Sequence, residues 1–182
     1  MAKLVSSTYG DALFELALSE GRLDELYEEI SSVREVFLEN EELVRFLNHP
    51  KVPKEEKLAV IVNVFSGRVS EETVGFLHII TDKDRYNDMI PIFDHFLKRV
   101  KDHNGIGRAI VTSAFPLSDS QKEAVETRLL ETTDYKSFEM DYRVVPEILG
   151  GLVIRIGDRI VDSSLKSQID KMTRELSRIR LS

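Results

Sequence analysis

The sequence predicts a mainly α protein: an N-terminal bundle of six helices, then a small α/β domain with a short sheet, a hairpin and a terminal helix. Three observations carry this. The first hundred residues read as helix after helix, with apolar residues from Leu23 to Phe37 recurring at three and four positions, the period of an amphipathic helix. Short breaks at Gly21, at Asn48-His49-Pro50 and ahead of Ser70 divide that stretch into antiparallel-sized pieces. At Asp102-His103-Asn104-Gly105-Ile106-Gly107 the pattern gives way to short β-branched runs, which sets two domains, 1–104 and 105–182.

The first helix covers Leu4 to Ser19, with Gly21 as its stop. Leu23, Leu26, Tyr27, Ile30, Val33, Val36 and Phe37 mark a second, and Leu43, Phe46 and Leu47 a short third. Pro53 suits the first turn of a fourth that runs to about Phe65. Ser70 caps a fifth, with Glu71 and Glu72 in its first turn, ending near Asp82. A sixth runs from about Tyr86 to His103, and Pro91 falls early enough in it to be tolerated.

In the second domain Ala109 to Thr112 reads as a strand. Ser118 and Gln121 have the spacing of a capping box at the head of a helix, and Ser137 to Val145 is a second strand. Leu152, Ile154 and Ile156 alternate into Gly157-Asp158, which is hairpin-turn chemistry, and Arg159-Ile160-Val161 resumes the strand. Asp162-Ser163-Ser164 then caps a last helix. Its apolar residues Leu165, Ile169, Met172, Leu176 and Ile179 form a narrow seam, with Arg174, Arg178 and Arg180 toward its C-terminus.

Composition narrows the function classes. The 182 residues are 42% apolar, enough for packed cores. With no cysteine there is no disulfide, no thiolate nucleophile and no Cys-based metal site. No apolar run approaches the roughly 20 residues of a membrane span and no signal peptide is visible, so membrane association is expected only through a partner. Residues 1–104 carry 13 Lys and Arg against 20 Asp and Glu, which is the whole net charge of −7; residues 105–182 carry 12 of each. Such an acidic first part argues against nucleic acid, whose affinity comes from clustered cations.

No catalytic constellation emerges. His49, His78, His95 and His103 lack metal-ligand spacing, and His78 among Phe76, Leu77, Ile79 and Ile80 reads as a satisfied or groove-lining residue. Gly105-Ile106-Gly107 precedes a strand and lacks the third glycine of a dinucleotide fingerprint, and Gly150-Gly151 has no following Lys-Ser/Thr. The acid pairs Glu28-Glu29, Glu41-Glu42 and Glu71-Glu72 are adjacent in sequence, so they read as solvated helix faces. No catalytic residue, cofactor or metal is expected. Helices one and five are apolar on more than one face. Each is therefore central in the bundle or offers a groove to a partner helix.

Several segments carry a family resemblance that spans nearly the whole chain. Tyr9-Gly-Asp-Ala-Leu-Phe-Glu-Leu-Ala, His49-Pro-Lys-Val-Pro-Lys, Phe76-Leu-His-Ile-Ile, Asp84-Arg-Tyr and Val111-Thr-Ser-Ala-Phe-Pro-Leu-Ser follow in order. Leu149-Gly-Gly-Leu-Val-Ile-Arg-Ile-Gly-Asp-Arg-Ile-Val-Asp-Ser-Ser-Leu then completes the series. Together they resemble the delta subunit of the F-type ATP synthase, known in mitochondria as the oligomycin-sensitivity-conferring protein. Two positions depart from the family: Val145 stands where Asp usually precedes the proline, and Asp84 where Gly often precedes the arginine. The resemblance implies a non-catalytic stator subunit that joins the catalytic headpiece to the peripheral stalk and resists rotor torque, on the cytoplasmic side of a bacterial membrane. It further implies a groove between helices one and five, here Tyr9, Ala12, Leu13, Leu16, Val74, Leu77 and His78, that takes the alpha subunit's amino-terminal helix. The second domain would hold the b subunit's carboxyl-terminal region, with Gly150, Gly151, Ile154, Ile156, Asp158 and Asp162 as signature residues, structural or in stalk contact. Without the resemblance, a freestanding helical adaptor would fit the same pattern.

Overall fold

The computed structural model describes the backbone of residues 2–179 and the side chains of residues 4–175. The chain divides into two compact units, Met1–Lys101 and Asp102–Ser182.

The first unit is helical: α1 (Ala2–Ser19), α2 (Leu23–Glu39), α3 (Glu41–Asn48), α4 (Lys54–Phe65), α5 (Glu71–Asp82) and α6 (Met89–Asn104), whose last residues lie past the unit's boundary. All six contribute to one core, in which Leu13, Leu26, Ile30, Leu47, Ile61, Leu77, Phe93 and Phe96 lose essentially all contact with water. Each such side chain contributes about 1.5–3 kcal/mol relative to leaving it exposed. Phe37 of α2 stacks on Phe65 of α4, 5.9 Å between centroids, and meets Phe93 of α6 edge-on at 5.8 Å. Helix stops follow local chemistry. Gly21 adopts φ 67, and Arg22 N–H closes back onto the Ala17 carbonyl at 3.0 Å, satisfying the end of α1. Pro53 occupies the N-cap of α4, one residue ahead of the expected first turn. Residues Tyr86–Asp88 form a separate 3-10 turn ahead of α6, which therefore starts later than its apolar period suggests.

The second unit is a four-stranded sheet in the order β2-β1-β3-β4, with β1 at Ile106–Ser113, β2 at Ser137–Val144, β3 at Leu152–Ile156 and β4 at Arg159–Asp162. Helix α7 (Asp119–Thr132) connects the parallel pair β1 and β2, while β3 runs antiparallel to β1 and closes the hairpin with β4. The capping box is present: Ser118 Oγ accepts from Gln121 N–H, and Gln121 Oε1 accepts from Ser118 N–H at 2.9 Å. Strand β1 is longer than its β-branched run because Gly107 belongs to it. A Cβ at that position would lie 2.5 Å from the Phe138 ring. The core beneath α7 is small, with Ala109, Leu129 and Phe138 at its centre and Val125, Met140, Ile154 and Ile156 around them. Helix α8 (Leu165–Ile179) follows β4, and every described side chain on it, Leu165 to Glu175, is exposed. The side chains of Leu176, Arg178 and Ile179, and Arg180 altogether, lie outside the described residues. The observed architecture is the mainly α fold with a small α/β unit that the sequence predicts.

Among the described residues the core of the helical unit holds one orphan. Thr81 Oγ1 on α5 is buried without a hydrogen-bond partner. Val has the same shape and no hydroxyl, so Thr81→Val is expected to raise the unfolding free energy by about 1 kcal/mol. Urea unfolding would show a higher midpoint at unchanged slope; a lower midpoint would mean that the hydroxyl is satisfied in solution.

Candidate functional site

The seven residues expected to line a groove do not share one environment. Leu13 is 1% exposed and Leu77 0%, so both side chains belong to the core and offer no contact surface. Tyr9 and Val74 are half-buried against that core. Ala12, Leu16 (39%) and His78 are exposed. Helical geometry explains the split. On α1, residues 5, 9, 12 and 16 fall on the flank of the stripe buried by Leu13, Phe14 and Ala17. On α5, Val74 and His78 flank Leu77 in the same way. Of the seven, the open positions are therefore Ala12 and Leu16 on α1 and His78 on α5, with Val74 half-buried one turn before His78.

Polar side chains fix both ends of α5. At its N-terminus the Glu29 carboxylate reaches across from α2. Its Oε1 accepts from Ser70 N–H at 2.9 Å, and its Oε2 accepts from Ser70 Oγ at 2.6 Å and Thr73 Oγ1 at 2.5 Å. Beside it the Arg22 guanidinium holds Glu72 at 2.9 Å and Glu25 at 2.8 Å. Glu72's carboxyl is held below its usual range by a bond to its own backbone N–H and then by Arg22. At the other end Lys54 of α4 donates to the Asp82 carbonyl and pairs with its carboxylate at 3.0 Å. Asp84 follows in a left-handed backbone, φ 54, which explains why a glycine suits this position; Asp is among the residues that tolerate it. Its carboxylate also accepts from Tyr86 Oη at 2.7 Å.

Glu29 and Glu72 correct the expectation of solvated acids. Both are half-buried and bonded, whereas Glu28 beside Glu29 is exposed. Their roles depend on residues far away in the chain. The nearest local signal is the serine that Glu29 reaches, itself legible as a cap.

In the second unit most of the signature residues have packing or hydrogen-bonding partners within the unit. Gly151 sits at φ 75, and a Cβ on it would lie 2.3 Å from the Ser163 carbonyl oxygen; one on Gly150 would lie 2.8 Å from Leu165 Cδ1. Ile154 and Ile156 pack against the core beneath α7. Asp158 is exposed in the two-residue turn, where Gly157 at φ 56 supplies the left-handed backbone. Asp162 Oδ1 accepts from Ser164 N–H at 2.9 Å and Oδ2 from Ser167 Oγ at 2.6 Å, while Ser164 Oγ caps Ser167 N–H at 3.2 Å. What these residues launch is an apolar seam in solvent: Leu165, Ile169 (52%) and Met172 (60%). Sequence reasoning passed over Phe115, exposed beyond the end of β1, and Ile160 and Val161 on edge strand β4.

No three His, Asp or Glu side chains are grouped to hold a metal ion among the described residues, and none of the described helices is long and apolar enough to cross a membrane.

The Asp162 cap gives a pH expectation. Bonds from Ser167 and then Ser164 hold its carboxyl below the ordinary value, so the stabilisation is present above the unfolded-state pKa and lost as pH falls through the folded one. Acidification below about pH 4 is expected to loosen the first turn of α8, and Asp162→Asn to flatten that response. Amide exchange at residues 165–168 would read it, and an identical acid profile in the variant would remove the role.

A family model described as ATP synthase delta (OSCP) subunit matches residues 5–176. The chain is 55% identical over 181 residues to the ATP synthase subunit delta of Lachnoclostridium phytofermentans, covering 100% of each sequence. It is 34% identical over 172 residues to that of Halalkalibacterium halodurans, covering 94% of each. In fold it resembles a chain from the cryo-EM structure of the Toxoplasma gondii mitochondrial ATP synthase hexamer, with a TM-score of 0.68 at 17% identity, over 94% of this chain and 96% of that one. The exposed helical rows and the structural signature thus stand in a chain that belongs to the ATP synthase delta (OSCP) subunit family, a stator component of that complex.

Proposed function

We propose that the chain joins two other subunits of the synthase and catalyses nothing itself. The helical unit would take the amino-terminal helix of an alpha subunit along Ala12, Leu16, Val74 and His78. The second unit would hold the carboxyl-terminal region of the b subunit, and the chain would lie on the cytoplasmic side of a bacterial plasma membrane, held there only through the complex.

One observation carries this reading. Each unit leaves apolar helical side chains in solvent, Leu16 on α1 and Ile79 on α5 in the first and the α8 seam of Leu165, Ile169 and Met172 in the second. A row of that kind matches the face of an amphipathic partner helix, whose burial would yield about 25 cal/mol per Å² of apolar surface removed from water. The α8 seam repeats at four and three residues, the width of a single facing helix. Two such contacts on one chain make a link between headpiece and stalk, and a stator link must carry rotor torque.

Calorimetric titration of the full chain with a synthetic alpha-subunit amino-terminal peptide should give saturable heat. Leu16→Asp would bury an unpaired charge in the contact and should weaken binding at least tenfold, about 1.4 kcal/mol, with little change in melting temperature. Unchanged affinity would move the contact off this face. Leu13, by contrast, is the wrong residue to test, because an acid there would unfold the core.

A further inference from the structure

We infer that Glu29 is a positioning residue for the α5 wall of the docking face. The inference rests on the proposed docking of a partner helix along α1 and α5, and it deepens that reading. Glu29 lies on α2 and is not part of the exposed row.

The start of α5 is weak by itself. Its first turns read Glu71-Glu72-Thr73-Val74-Gly75, where two β-branched residues and a glycine all disfavour helix. Gly75 has nothing within 4 Å of where a Cβ would be, so no packing compensates for its backbone freedom. The local cap is also long: Ser70 Oγ accepts from Thr73 N–H at 3.3 Å. Yet Val74, at the edge of the docking row, belongs to this stretch, and His78 stands one turn further on. Open space over Gly75 also leaves room for another backbone to approach.

Glu29 supplies what the local sequence lacks. One carboxylate takes three donors from the α5 entrance, across 41 and 44 residues of chain, at 2.5 to 2.9 Å. Its negative charge sits at the positive end of the α5 dipole. Thr73 is fully buried, so without Glu29 its hydroxyl would lose its 2.5 Å acceptor and keep only Ser70 Oγ at 3.2 Å. Removing the carboxylate should let the first turns of α5 fray, and a partner would then have to order Val74 and Gly75 as it docked, which lowers affinity.

The test titrates the synthetic alpha-subunit amino-terminal peptide into the full chain at 25 °C. The variants are Glu29→Ala, Glu29→Gln, Glu28→Ala and Thr73→Val, with melting and amide exchange measured on each. Glu29→Ala is expected to raise Kd about tenfold and to speed exchange at residues 71–75 while α6 stays protected. Gln, which keeps an acceptor for Ser70 N–H, should stay within about threefold of the parent, and Glu28→Ala should not differ from it. Should Glu29→Ala fail to fold, Thr73→Val, which removes one of the three donors, must still raise Kd. A variant that melts lower but binds as tightly as the parent overturns the positioning role and leaves the docking reading intact. No binding by the parent chain overturns the docking reading, and the positioning role with it.

Discussion

The helical unit is organised around Phe37, which stacks on Phe65 and meets Phe93 edge-on, so that α2, α4 and α6 converge on one aromatic junction. Aromatic pairs in these geometries add about 0.5–1.5 kcal/mol beyond their burial, and each also fixes a distance and an angle between two helices. Once α2 and α4 are fixed there, their polar residues are fixed too. Glu29 on α2 meets the entrance of α5, and Lys54 on α4 meets its exit at Asp82. Helix α5 thus lies between two helices that the junction has already placed, and its outward flank inherits that placement. An apolar interaction deep in the bundle determines where a surface row can stand.

Much of this fold could be read in advance because punctuation and period agreed. Gly21 ends α1 with the left-handed backbone that glycine permits, and Ser70, Ser118 with Gln121, and Asp162 with Ser164 open helices as their side chains suggest. Strand β1 was less legible, since Gly107 looks like a break while the folded chain uses it to admit the Phe138 ring. The 3-10 turn at Tyr86–Asp88 was also hidden. It depends on Asp84 turning the chain left-handed just before, with Lys57 lying over the Tyr86 ring at 4.3 Å.

The apolar arcs of α1 and α5 were legible in the sequence, but not which of their side chains stay open. A three- and four-residue period identifies an apolar arc wide enough to include Leu13 with Ala12 and Leu77 with His78. Which edge of that arc is open depends on the neighbouring helices, whose positions the period does not contain. Glu29 illustrates the same limit from the polar side. Next to Glu28 it looks like one more solvated acid, and only the arrival of Ser70 and Thr73 from 41 and 44 residues away makes it a cap.

The two units balance local and tertiary stabilisation differently, and the difference bears on the proposed link. In the first, every helix reaches a shared core, so an exposed flank such as Ala12 and Leu16 rides on a stripe already buried by Leu13 and Ala17. In the second, α8 has no described side chain beyond Ser164 in a buried position, and its start is held by Asp162, Ser164 and Ser167. An isolated helix of this length is marginal in water, where nucleation is costly and propagation only mildly favourable. Its cap lowers the nucleation cost, but burial of Leu165, Ile169 and Met172 is left to whatever covers them. Coverage of the seam would therefore add to the order of α8 itself. At Ala12 and Leu16 a partner would meet side chains whose places the bundle has already fixed.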